Sequence, residues 1–307
     1  MLYLMAALSA GVGMPMQTSI NAQLGRRVGS PFLAALINFT VGITLLLIAA
    51  LFMEGSLAIP FGNINGEPLW VITGGAFAAF FVAGNILLMP KVGSIQTAIL
   101  PASGQIIMGT IIDTFGLFNA TAKALSPFRA LGIVLVFAGV VIVILSKNRN
   151  AAKIEKTENI WAWRAFGIIV GCTMACQTAI NANLGIVLES RIYAAIVNFI
   201  VGLVILITVN VILLILKKNN GNSLEGKTPK WIICGGMIGA WYCIANIISA
   251  QVVGTGMCVI MVLTGLMAGG LLVDQFGMFR AKQRPVRLVE ILGVIVMVAG
   301  AAMFHLL

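Results

Sequence analysis

Ten runs of about twenty mostly apolar residues follow one another along the chain, and only short polar segments separate them. They span roughly 2–24, 30–53, 68–90, 93–115, 129–147, 163–185, 191–216, 230–252, 255–275 and 287–306. A bilayer core takes about 20 residues of α-helix per crossing. The runs therefore predict an all-α integral membrane protein with ten transmembrane helices. Composition excludes the alternatives. Of 307 residues 60% are apolar and 9% charged, against about 45–50% and about 25% in soluble domains. So few charges cannot coat a globule, which excludes a soluble enzyme, a disordered chain and a nucleic-acid-binding module. The first run has no basic flank or clear cleavage site and reads as a retained span.

The net charge of +10 reads as topology. Sixteen Lys and Arg fall in loops after odd-numbered runs: Arg26, Arg27, Lys91, Lys147, Arg149, Lys153, Lys156, Arg164, Lys217, Lys218, Lys227, Lys230, Arg280, Lys282, Arg284 and Arg287. Only Lys123, Arg129 and Arg191 fall on the other side. By the positive-inside bias both termini are expected outside the cytoplasm, with the basic face against anionic headgroups. The five cysteines lie inside apolar runs and read as small apolar filler. No metal, cofactor or nucleic-acid partner is expected. The sequence requires no oligomer and is compatible with a homodimer.

The two halves are related. QTSINAQLG at 17–25 returns as QTAINANLG at 177–185, and NFTVG at 38–42 as NFIVG at 198–202. DTFGLF at 113–118 returns as DQFGMF at 274–279. Residues 1–147 and 163–307 thus form two five-helix repeats, joined by a cytoplasmic linker at 148–162. Five is odd, so the second repeat enters the membrane from the opposite side, the inverted topology many secondary transporters share.

These segments resemble the YdcZ-type family of the drug/metabolite transporter superfamily, once per half. The resemblance implies five-helix units, separate or fused in tandem, and an inner-membrane exporter of undefined substrate. The second half departs from the first where Leu266 stands for Gln105, Gln251 for Pro90 and Glu290 for Arg129.

Amides inside a bilayer need partners or water. Gln17, Asn21, Asn38 and Asn85 are expected to cluster in the cytoplasmic half, and Gln177, Asn181, Asn198 and Asn246 in the outer half. Each cluster reads either as interhelical glue, worth about 0.6 kcal/mol per contact, or as a gate touching substrate. Gln105 joins these candidates. Between the clusters Phe80 and Phe81 repeat as Trp241 and Tyr242, and Met14 as Met174, a packed core or a cavity wall. Trp241 and Tyr242 are the stronger wall candidates, since buried Trp and Tyr want a polar partner. Asp113, Asp274 and Glu290 sit at helix ends. They read as partners of backbone amides or nearby Lys and Arg, or as proton-coupling groups.

The expected function is a secondary transporter, an exporter by the family resemblance, moving a small neutral or zwitterionic metabolite by alternating access. A proton-coupled multidrug or cation antiporter is the nearest alternative, but no carboxylate lies near the midplane of any run. A passive channel or a membrane-embedded transferase fits less well. No catalytic residue is expected, because one histidine and scattered carboxylates do not make an enzyme site.

Overall fold

A computed structural model describes residues 1–120, 122, 126–148, 159–216, 230–253 and 255–306. Most of the 148–162 linker lies outside them. The described residues contain no strand and form ten α-helices. These are α1 (Leu2–Val28), α2 (Pro31–Met53), α3 (Gly74–Val92), α4 (Ser94–Phe115), α5 (Pro127–Asn148), α6 (Ile160–Val187), α7 (Arg191–Ile215), α8 (Gly235–Val253), α9 (Thr255–Phe276) and α10 (Leu288–Leu306). By length and hydropathy six stretches among the described residues could cross a membrane: α2, 69–92 ending α3, α4, α6, α7 and 258–276 within α9. Helix α1 falls outside that set because it carries Gln17, Asn21, Gln23, Arg26 and Arg27. It lies in the interior, packed on α2, α3, α8 and α9.

Local chemistry explains most boundaries. Ser30 precedes α2 and its hydroxyl accepts from the Leu33 amide at 3.2 Å. Ser190 does the same for α7 through the Tyr193 amide at 3.3 Å. Both are side-chain caps of otherwise orphan N–H groups. Helix α3 starts later than its apolar run because Leu69–Ile72 forms a tighter 3₁₀ turn after Pro68, and Lys230–Ile233 forms another before α8. Gly93, at φ 81°, is the single residue between α3 and α4. The repeated Asp-x-Phe-Gly-x-Phe segments end α4 and α9 alike. Gly116 and Gly277 turn left-handed at φ 63° and 60°, followed by Phe118 at 58° and Phe279 at 54°. A bulky residue at positive φ is uncommon, and each phenyl ring is held by a tryptophan. Phe118 lies 5.5 Å from Trp70, and Phe279 lies 5.7 Å from Trp231, between ring centroids.

Helix α1 packs on α8 and α9, α6 on α3 and α4, α2 on α7, and α5 on α10. Glycine permits these approaches. A methyl group at Gly11 would overlap the Val262 carbonyl, and one at Gly171 the Pro101 carbonyl. In lipid, association rests on such close packing of small residues. One apolar core joins α2, α3 and α7 around Phe39 and Phe199. A second joins α4, α5, α9 and α10 around Ile99, Val136, Met267 and Met297.

The helix ends sort onto two faces. On one, Gln23 Nε2 donates to the Arg280 carbonyl at 3.0 Å, and the Lys91 ammonium sits 5.5 Å over the Trp163 ring. This face carries Arg26, Arg27, Lys91, Arg164 and Arg280. On the other, the Ser190 hydroxyl donates to Glu54 at 2.5 Å, and Asn63 Nδ2 donates to the Val187 carbonyl at 3.2 Å. There, too, Asn119 Nδ2 donates to Asn183 Oδ1 at 3.3 Å.

Candidate substrate cavity

Three amides from two helices form a chain on one side of a central cavity. Gln17 Nε2 donates to Asn38 Oδ1 at 3.4 Å, and Asn38 Nδ2 donates to Asn21 Oδ1 at 3.2 Å. Gln17 and Asn21 meet Asn38 because they are four residues apart on α1, one helical turn, and so share a face. All three are buried. Gly235 and Gly239 of α8 press on them, and a methyl group at Gly239 would come within 2.7 Å of Gln17 Nε2. Asn85 reaches the same cavity, but its amide N–H goes to the Phe81 carbonyl at 2.9 Å.

The cavity has a volume of about 70 Å³ and is partly open. Its polar lining is Gln17, Thr18, Asn21, Asn38, Asn85, Gln177 and Tyr242. Its apolar lining includes Met14, Phe39, Phe81, Met174 and Phe199. No charged side chain among the described residues lines it. The Phe39 and Phe199 rings pack at 4.8 Å between centroids, where α2 meets α7. Such a wall holds a small molecule through apolar contact, with a few amides and hydroxyls to orient it.

The counterpart cluster is arranged differently. Asn198 is buried, yet its Oδ1 has no hydrogen-bond partner, and neither has Asn181 Oδ1. Gln177 is half-buried and faces the cavity. Asn246 lies apart from the cavity lining and accepts from the Cys258 thiol at 3.1 Å. The adjacent Trp241 and Tyr242 diverge. Tyr242 faces the cavity, whereas Trp241 is 46% exposed and its indole N–H donates to Ser9 Oγ at 3.2 Å. One residue of helix turns a side chain by about 100°, which sends these two neighbours into different surroundings. Gln105 is half-buried on α4, also outside the lining.

The carboxylates stand at helix ends, each with a partner. Asp113 Oδ2 accepts from Arg129 Nη2 at 2.6 Å. Asp274, buried at the end of α9, accepts from the Ser94 and Ile95 amides at 3.1 and 3.3 Å and so caps α4. Glu290 pairs with Arg284 and accepts from the Arg287 amide at 3.1 Å. Among the described residues, no group of three His, Cys, Asp or Glu side chains is placed to hold a metal ion.

Comparison with known proteins places this architecture. A family model described as "Putative inner membrane exporter, YdcZ" matches residues 2–142 and 162–303, nearly the whole chain. The chain belongs to the YdcZ family. It is 26% identical over 119 residues to the inner membrane protein YdcZ of Escherichia coli strain K12, a match covering 38% of this chain and 78% of that protein. This chain is thus about twice as long as that relative. A solved structure, described only as a crystal structure of a protein, matches 99% of this chain and 96% of its own at a TM-score of 0.63. At 13% identity that likeness concerns the fold alone.

Several lining residues of this YdcZ-family chain escape a search for polar groups. Phe39 and Phe199 stand in the Asn-Phe-x-Val-Gly segments, and their repetition was the available signal. Thr18 is marked in the same way by the repeat at 17–25 and 177–185, whereas Gly239 and Cys243 have no such mark, because a small residue lines a cavity only by virtue of what packs around it.

Proposed function

We propose that the chain is an inner-membrane secondary exporter of a small neutral or zwitterionic solute with an apolar or aromatic part. Two inverted five-helix units, α1–α5 and α6–α10, alternate access to the central cavity. The observation that carries this reading is the unequal state of the two amide clusters. Gln17, Asn38 and Asn21 are joined by hydrogen bonds and buried, whereas Asn181 and Asn198 have carbonyl oxygens without protein partners. A carrier caught with one gate closed and its counterpart unmade has this form. The exchange-related contacts support it: Trp70 on Phe118 with Trp231 on Phe279, and Gly11 on α9 with Gly171 on α4.

The uncharged lining supports a neutral or zwitterionic substrate over a cation. A proton-coupled cation antiporter would place an exchangeable carboxylate in the cavity, and Asp113, Asp274 and Glu290 lie outside its lining. The bias of basic residues supports extracytoplasmic termini.

Metabolite profiling of cells and medium tests the proposal, comparing the wild type with the Asn21→Ala, Asn181→Ala double variant at matched membrane levels. At least one metabolite should accumulate outside wild-type cells and fall about tenfold or more in the variant. Equal profiles would overturn export through these clusters.

A further inference from the structure

Beside the central cavity lies a narrower chamber of about 20 Å³. It shares Met14, Thr18, Phe81 and Asn85 with the first, so the two adjoin. Its far end is the first two turns of α4, at Ser94, Thr97 and Pro101. Ser94 is 2% exposed, and its hydroxyl has no hydrogen-bond partner. Buried polar groups are nearly always paired, so an orphan hydroxyl lining a chamber marks a place for a ligand atom. Pro101 has no N–H to offer the Thr97 carbonyl. Asn85, at the junction, donates one amide N–H to Phe81 and keeps the other N–H and its carbonyl oxygen. Polar groups of the neutral kind converge there.

The start of a long helix ordinarily favours an anion. Here Asp274 has taken that role. Its two carboxylate oxygens accept the Ser94 and Ile95 amides, so two of the first N–H groups are spent and a fixed negative charge lies against the helix end. A substrate carboxylate or phosphate would meet that charge at close range.

We infer that the side chamber is the subsite for a neutral hydroxyl or carboxamide arm of the substrate, whose apolar or aromatic ring lies among Phe39, Phe81, Phe199 and Tyr242. This rests on the central cavity being the transport site, and it narrows the substrate class to molecules whose arm carries no negative charge. Ser94 Oγ donates to the arm's carbonyl or accepts from its hydroxyl.

Equilibrium dialysis of the full chain in nanodiscs, with empty nanodiscs subtracted, tests it with three probes. N-acetyl-L-tryptophanamide carries a ring and a neutral arm, N-acetyl-L-tryptophan carries the same ring and an anionic arm, and 3-methylindole is the ring alone. The amide should bind about tenfold tighter than the carboxylate. Ser94→Ala should weaken the amide about fivefold, the effect of one hydrogen bond, leave 3-methylindole unchanged, and be rescued by Ser94→Thr. Asp274→Asn should raise carboxylate binding. The inference is overturned if the amide fails to bind, if Ser94→Ala at an unchanged melting temperature binds it as the wild type does, or if the carboxylate binds as tightly. Should 3-methylindole also fail to bind the wild type, the central cavity itself loses its role. Should it bind while Ser94→Ala is silent, only the side chamber does.

Discussion

Asn38 stands between two other amides, accepting from Gln17 and donating to Asn21, so its loss undoes two contacts at once. Asn85 lines the same cavity with only a backbone carbonyl as partner, within its own helix. The two residues therefore separate cohesion from contact with solute. Interhelical hydrogen bonds in membrane proteins contribute about 0.6 kcal/mol each. Asn38→Ala should lower the free energy of unfolding by about 1–2 kcal/mol, through two lost bonds and the groups they leave. Asn85→Ala should change it by less than about 1 kcal/mol while reducing transport at least as much. Denaturant titration in micelles, beside transport at matched membrane levels, reads both. Equal stability losses would mean that Asn85 holds helices together as Asn38 does.

At the scale of the element, glycine decides which helices touch. Gly171 of α6 lies against the Pro101 backbone of α4, and the carbonyl there cannot move aside as a flexible side chain would. Gly109 on α4 has nothing within 4 Å of where a methyl group would sit. The same substitution should therefore have opposite signs. Gly171→Ala should destabilise by about 1–3 kcal/mol, the usual cost of overpacking. Gly109→Ala should be neutral or stabilising by up to about 1 kcal/mol, the gain in helix propensity. Melting temperatures in one detergent compare them, and similar values would show that α4 and α6 pack more loosely than described.

For the whole molecule, alternating access requires the contacts at each end to be made and broken in turn. Asn119, after α4, donates to Asn183 of α6 on the face opposite the basic one. In a background lacking the five native cysteines, Asn119→Cys with Asn183→Cys should be bridged by a short bifunctional thiol reagent. The bridge should abolish transport, and a reducible bridge should release it on reduction. Continued transport by the bridged protein would show that these ends need not part.

Much of this was readable along the chain because it rests on local chemistry. Apolar run length located the helices. The Asp-x-Phe-Gly-x-Phe repeats marked two turns of one shape, and the paired segments disclosed the duplication. Family membership follows from those same segments. What the repeats could not convey is that equal sequences meet unequal surroundings. Gln17 and Asn21 are buried and bonded to Asn38 or close beside it, whereas Gln177 is half-buried and Asn181 lacks a partner for its oxygen. Trp241 faces outward and Tyr242 inward, Asn246 pairs with Cys258, and Asp274 caps a helix 179 and 180 residues earlier in the chain. Each of these depends on which helix lies opposite and how it is rotated. Close packing between helices settles that, and no pattern of period 3.6 within one helix encodes it.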